Sequence, residues 1–269
     1  MRRLLDTHGL APRKSSGQNF VVDANTVRRI VAAADLAPDD VVLEIGPGLG
    51  SLTLGLAETV ARVVAVEIDA GLVRALQETV GDLDNVEVVH GDALELELGE
   101  TVGGPARLVA NLPYNVATPL VMRALEDHRI RDAFVMVQRE VGERWCARPG
   151  DALHAGVSVK IALVAEAQSV LRIPRTVFHP VPNVDSVMVR LTRRPDAPDP
   201  ERREELFRLV DVAFAQRRKT LRNNLRAAYA EPVVTAAAAQ AGIDLGARAE
   251  TLGAAEVRAL ADALDRQPG

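Results

Sequence analysis

A single cysteine, Cys146, stands among 269 residues, which excludes an intramolecular disulfide and fits a reducing cytoplasm. Aromatic residues make up only 3% of a chain that is 48% hydrophobic, so the core must be mostly aliphatic. No apolar run approaches the roughly 18 residues needed to cross a bilayer, and no membrane role is expected. The opening "MRRLLDTHGLAPRKSSG" carries positive charge without an apolar centre, so no secretory signal is expected. The five histidines, His8, His90, His128, His154 and His179, lack ligand-like spacing, and no metal site is expected.

Positive charge is also short overall: the net charge is −5. Its distribution matters more than its sum. Residues 31–110 hold 15 acidic and 3 basic side chains, whereas residues 1–30 hold 6 basic and 2 acidic. Residues 190–230 hold 11 basic and 6 acidic. A polyanion responds to the local field, so an acidic middle with basic flanks is compatible with a nucleic acid arriving from one side. Solvated helix faces carrying Arg–Glu pairs account for the same pattern equally well.

The chain supports one large domain, or one domain with a small appendage. After a loop-like "PRKSSGQNF", "ANTVRRIVAAADL" has apolar residues at helical spacing. Five short apolar runs follow, over residues 41–46, 62–68, 86–90, 107–111 and 133–138, and read as strands buried on both faces. Helical patterns ("SLTLGLAETV", "AGLVRALQETV", "ATPLVMRALEDH") alternate with them, which predicts an α/β fold with a doubly wound, mostly parallel sheet. "VSVKIALVAEAQSVLRI" and "DSVMVRLT" are rich in strand formers and are expected to form a closing antiparallel pair. "RRPDAPDPE" (193–201) reads as a linker. Beyond it the chain is helical by pattern: "RREELFRLVDVAFAQ", "KTLRNNLRAAY" and "GAAEVRALADALD", the last beginning at Thr251 or Gly253. The expected division is a sheet domain of residues 1–192 and a small all-helical C-terminal domain of residues 193–269.

"VVLEIGPGLGSLTLGLA" joins the first strand to the next helix through Gly46, Gly48 and Gly50. Glycines here allow a tight turn and let a ligand approach the backbone. Gly46-x-Gly48-x-x-Ser51 nearly matches the dinucleotide fingerprint, but Ser51 replaces the third glycine. The run "E-x-G-P-G-x-G" resembles instead the first motif of S-adenosylmethionine-dependent methyltransferases. "VEID" places Glu67 at the end of the second strand, where a carboxylate can accept both ribose hydroxyls. "HGDAL" places Asp92 after the third, in reach of an adenine amino group. Taken singly, Glu67 has a surface charge as its less favoured alternative and Asp92 a helix cap or turn residue. At the ends of successive strands beside Gly46, they point to a nucleoside site.

The fourth strand ends in "NLPY". The Asn111 amide oxygen and the Leu112 carbonyl can accept the two hydrogens of an exocyclic amine. Pro113 fixes the turn, and Tyr114 offers a ring face on which a purine can stack. An aromatic amine is a poor nucleophile because its lone pair is delocalised into the ring. Two acceptors that pull the amine toward tetrahedral geometry restore that lone pair and aim it.

On these segments the chain resembles the small-subunit ribosomal RNA adenine dimethyltransferase family. The resemblance spans "SSGQNFVVD", "EIGPGLGSLT", "VEID", "GDAL", "NLPYNVATPL", "VFHPVPNVDSVMVRL" and "FAQRRKTLRNNL". It implies a Rossmann-like class I methyltransferase domain with a helical C-terminal domain, and S-adenosylmethionine as donor. The implied substrates are two adjacent adenines near the 3′ end of small-subunit rRNA, each methylated twice, with a role in ribosome maturation. Carried onto this sequence, Asn19, Val21, Gly46, Glu67, Asp92 and Asn111 bind the donor. Asn111, Leu112, Pro113 and Tyr114 hold the target base, and Phe178 stacks on its other face. Val21 stands where a leucine is usual, and Val116-Ala117 where Ile-Ser is more familiar.

"QRRKTLRNNLR" is helical by pattern, which sets Arg218, Arg222 and Arg226 in one row able to track a phosphate backbone. Arg13 and Lys14 are candidates to add to it. A large-subunit rRNA dimethyltransferase of the macrolide-resistance type, a DNA adenine methyltransferase and a non-catalytic assembly factor are the competing readings. Nothing in the sequence argues against a monomer.

Overall fold

The computed structural model of the protein describes residues 19–267. Arg13 and Lys14 therefore lie outside the described residues. The first strands form where the sequence is continuously apolar. β1 (Phe20–Val21) is followed by α1 (Ala24–Ala34), β2 (Val41–Ile45), α2 (Ser51–Ala57), β3 (Arg62–Glu67), α3 (Ala70–Val80) and β4 (Val86–His90). Then come α4 (Leu98–Val102), β5 (Ala106–Asn111), α5 (Ala117–Glu126) and β6 (Ile130–Gln138). Aspartates start two of the helices: Asp23 accepts the Thr26 N–H at 2.8 Å, and Asp69 accepts those of Gly71 and Leu72 at 2.8 and 3.2 Å.

After α6 (Arg139–Trp145) and α7 (Gly156–Val164) come β7 (Ala165–Ile173), β8 (Phe178–His179) and β9 (Ser186–Arg193). The seven-stranded sheet has the order β4-β3-β2-β5-β6-β9-β7, while β1 and β8 form a separate antiparallel pair. The β4-to-β6 portion is parallel, and β9 runs antiparallel to β6 from Ser186 opposite Gln138 to Thr192 opposite Asp132. Continuous Val, Leu and Ile in β2, β3 and β5 meet helices on both faces, which is why these strands do not alternate polar and apolar. Between β2 and β5 the direction of winding reverses, and the crevice at their C-terminal ends is the expected ligand position in such sheets.

The opposite end of the sheet is tied to α1. Arg107 on β5 donates to Asp132 at 2.9 Å, to Asp40 at 3.1 Å and to the carbonyls of Ala34 and Asp35. Arg190 on β9 reaches the Ala33 carbonyl at 2.6 Å. Two guanidinium groups thus satisfy the free carbonyls at the α1 C-terminus and oppose its dipole.

The chain divides into two compact units. One runs up to Gly142 and resumes over Gln168–Thr192; the other comprises Glu143–Ala167 and everything from Arg193 onward. Glu143–Ala167, placed with the sheet domain from sequence, therefore packs with the helices. Part of the expected strand "VSVKIALV" is helix α7 as well. Its β-branched residues favour a strand locally, but Ser158 overrides them: its hydroxyl accepts the Ala155 N–H at 3.1 Å and donates to the Arg144 carbonyl at 2.6 Å, starting a helix. Apolar apart from Ser158 and Lys160, α7 buries Val159, Ile161 and Leu163, and Gly156 lies against Val210 and Phe214 of α8 (Pro200–Phe214).

In the second unit α8 is capped by Asp199, and α9 (Leu221–Leu225), α10 (Glu231–Ala241) and α11 (Ala254–Asp265) follow. The continuous helix expected over "QRRKTLRNNLR" is not formed. The chain leaves α8 after Phe214, and Asn224 closes the break by donating to the carbonyls of Ala213 at 2.6 Å and Gln216 at 3.3 Å. Thr220 then caps the short α9. Among the described residues no helix is long and apolar enough to cross a membrane.

Candidate active site

The crevice at the C-terminal ends of β2 and β5 is a cavity of about 360 Å³. Its floor is the turn after β2. Gly46 and Gly48 have φ of +69° and +59°, a region that side chains rarely adopt. A Cβ on Gly48 would come within 2.6 Å of the Phe20 ring, so this glycine is required by space as well as by backbone. Gly46 lies against Pro113, which brings the β2 turn and the β5 turn to one edge.

Glu67 ends β3 and is buried. Its two oxygens accept the N–H groups of Gly48 at 3.1 Å and Asp69 at 3.0 Å, so the carboxylate also holds the glycine loop in place. Burial raises its pKa, and these backbone donors partly offset the rise. Asp92 follows β4 and uses one oxygen to accept the Leu94 N–H at 2.8 Å, which leaves the other for a ligand.

Asn111 closes β5. Its Nδ2 donates to the Asn19 carbonyl at 2.9 Å, and only the amide nitrogen can make that bond. The side-chain oxygen is thereby left as the acceptor at the cavity wall. The Leu112 N–H is committed to the Met136 carbonyl at 3.1 Å, so this residue has its carbonyl to offer. The Tyr114 hydroxyl meets Ser186 Oγ at 2.7 Å, which steadies the ring, and burial raises the phenol pKa.

Asn19, Val21, Gly46, Glu67, Asp92, Asn111, Leu112, Pro113 and Tyr114 all line this one cavity. Phe178 does not. It is 2% exposed and packed in the core with Val21, Val27, Ile30 and Met188, because β8 pairs with β1 and places Phe178 opposite Val21. The side chain that the resemblance assigns to stacking is thus packed in the core. The row of arginines is corrected too. Arg218 precedes α9, and Arg222 and Arg226 pair with Glu231 at 2.5 and 2.8 Å.

Two residues of the site escaped the sequence expectation. Ser186 supplies the Tyr114 partner and is fully buried. Glu44 lines the cavity from within β2 at 1% exposure, and its Oε2 has no hydrogen-bond partner among the described residues. Burial pushes its pKa up to about 8, the Thr53 hydroxyl offsets part of the rise, and the nearby Glu67 carboxylate adds to it. A signal existed: a lone carboxylate inside the apolar run "VVLEIG".

Three acidic residues, Glu44, Glu67 and Asp92, thus line the cavity, and no Lys, Arg or His among the described residues does. Such a lining suits a nucleoside ligand with hydroxyl and amino hydrogens to donate and with positive charge elsewhere.

Comparison with known proteins agrees with this geometry. Residues 9–266 match the family described as ribosomal RNA adenine dimethylase. The ribosomal RNA small subunit methyltransferase A of Thermobifida fusca is 50% identical over 97% of this chain and 93% of its own. That of Kineococcus radiotolerans is 50% identical over 97% of this chain and 89% of its own. Among solved structures, the 23S rRNA methyltransferase ErmE superposes with a TM-score of 0.71 at 31% identity, covering 92% of this chain and all of that one. A dimethyladenosine transferase from Plasmodium falciparum shares the fold at a TM-score of 0.71 and 23% identity, over 90% of this chain and 95% of that one.

Proposed function

Because the chain belongs to the ribosomal RNA adenine dimethylase family, we propose that it methylates two adjacent adenines near the 3′ end of small-subunit (16S) rRNA, each at the exocyclic amine and each twice. S-adenosylmethionine is the donor. The observation that carries the reading is the convergence of the Asn111–Tyr114 turn with Glu67 and Asp92 on one cavity that no basic side chain among the described residues lines. The small subunit is favoured over the large because likeness to the small-subunit enzymes exceeds that to the 23S enzyme.

When bound, the donor supplies a methyl group activated by an adjacent positive sulfur. The chain's own residues do the positioning. Glu67 accepts the ribose hydroxyls, and the free oxygen of Asp92 accepts from the adenine of the donor. The glycine turn lets the ligand lie against the backbone. Asn19 orients the Asn111 amide, so that Asn111 Oδ1 and the Leu112 carbonyl hold the two hydrogens of the target amine. The target base leaves its stack and rests on the Tyr114 ring. Orientation and fixed acceptors carry the catalysis, and the proton departs to solvent after transfer.

The RNA approaches through basic residues that include Arg218, and a cytoplasmic monomer acting on immature small subunits belongs to the same reading. The test offers purified protein and labelled donor to naked small-subunit rRNA, immature small subunits, large-subunit rRNA and DNA side by side. Dimethyladenosine in small-subunit rRNA alone is expected. Incorporation confined to large-subunit rRNA or to DNA would overturn the assignment.

A further inference from the structure

The acceptors at the end of β5 hold an amine, and an amine alone does not identify a base. Adenine, cytosine and guanine each carry one, and each has a face that stacks on an aromatic ring. Adenine differs in having two bare acceptor nitrogens, N1 and N7, one on either side of its amine. Reading either of them takes a donor. The turn has already spent several. Asn111 Nδ2 is on the Asn19 carbonyl at 2.9 Å, the Leu112 N–H is on the Met136 carbonyl at 3.1 Å, and the Tyr114 hydroxyl meets Ser186 Oγ at 2.7 Å. Pro113 has no N–H to give.

One polar side chain of the turn is left. Asn115 lines the same cavity and is exposed, and its amide makes no hydrogen bond among the described residues. An asparagine or aspartate that only shapes a turn typically bonds the backbone two residues on, as Asp92 does with the Leu94 N–H at 2.8 Å. Asn115 does not. The Val116 N–H donates to the Pro113 carbonyl at 3.2 Å, which closes a turn with Tyr114 and Asn115 as its central residues. Pro113 at one end lies against Gly46, and Ala117 just past the other is buried at the start of α5. A firmly held turn thus presents an aromatic ring and an unspent amide side by side at the cavity.

We propose that Asn115 reads the target base: its Nδ2–H donates to a ring nitrogen beside the amine, while Asn111 Oδ1 and the Leu112 carbonyl hold the amine itself. A bond to N7 rejects cytosine, which has a C–H on that side. A bond to N1 rejects guanine, which has an N–H there.

This inference rests on the assignment of the target adenines. The test uses small-subunit rRNA carrying 7-deazaadenine or 1-deazaadenine at both target positions, each in the RNA form that is methylated with natural adenine. For the wild-type protein, kcat/KM is expected to fall about tenfold on one of the two analogues, the scale of one hydrogen bond, and the analogue affected identifies the nitrogen. Asn115→Ala and Asn115→Asp should lose about as much on natural adenine and nothing further on that analogue, with the donor Kd unchanged by calorimetry. Comparison of variant with wild type on one RNA cancels any change in the amine's own reactivity. Undiminished wild-type kcat/KM on both analogues, or a further equal loss in the variants, would overturn the role of Asn115. So would a donor Kd raised in both variants, which would make Asn115 a support of the turn alone. Absence of methylation of natural small-subunit rRNA by the wild-type protein would overturn the target assignment instead.

Discussion

The Asn111 side chain donates to the Asn19 carbonyl at 2.9 Å across 92 positions of sequence. That bond decides which end of the amide remains for a ligand. Asn111→Ala removes the acceptor, and turnover is expected to fall at least about 100-fold, the scale of losing one fixed polar group at a reacting centre. Asn111→Asp should be as damaging, because a carboxylate cannot donate to Asn19. Single-turnover kinetics with saturating donor measures both; near-normal rates would defeat the acceptor assignment.

Glu67→Ala should raise the donor Kd about 10- to 100-fold, since it removes charge-assisted acceptors and frees the Gly48 and Asp69 N–H groups together. Glu67→Gln keeps one acceptor and should fall between the two. Calorimetric titration reads the change, and an unaltered Kd would take Glu67 off the ribose.

Tyr114→Phe loses the bond to Ser186 but keeps the ring. A rate within about tenfold of wild type is expected, against a loss of about 100-fold or more for Tyr114→Ala, because base–aromatic stacking contributes roughly 1–3 kcal/mol. Equal effects of the two substitutions would show that the hydroxyl, not the ring face, is what matters.

Asp127 holds Arg129 through two oxygens at 3.0 Å and accepts the Gly99 N–H at 3.0 Å, which brings its pKa down to about 2. A depressed carboxylate stabilises the fold above its unfolded pKa of about 4, and that contribution is lost as pH falls from about 4 through 2. Asp127→Asn is therefore expected to cost about 1 kcal/mol near pH 6, and less as the medium approaches pH 3. Urea midpoints at the two pH values measure it.

Arg218→Ala should weaken RNA binding and flatten its salt dependence by about one phosphate contact, whereas Arg222→Ala should change the slope less, because Arg222 is held by Glu231. Filter binding over a salt series separates them; equal slopes for both variants would return Arg222 to the RNA face.

The residues themselves explain what was legible in the sequence. β2, β3 and β5 were readable because a strand buried on both faces has no polar alternation to hide it, Glu67 and Asn111 because they end such strands, and Asp92 because it follows the strand beside them. Helix α7 was not, since Val and Ile favour strands locally and only the Ser158 cap and burial against α8 reverse that preference. The arginine row failed because spacing says nothing of a break made by Asn224 reaching back to Ala213. Phe178, given a stacking role only by the resemblance, is buried where β8 pairs with β1, and pairing of two-residue strands leaves almost no trace in sequence. Glu44 was passed over for lying inside an apolar run, the very context that gives it its character.

The reversal of winding between β2 and β5 splits authorship of the cavity. In the proposed reading, residues 44 to 94 shape the half that takes the donor, while the turn after β5, steadied by Ser186, shapes the half that receives the acceptor. A sheet so wound can keep one methyl source and explore new recipients by altering a single turn and the serine that props it.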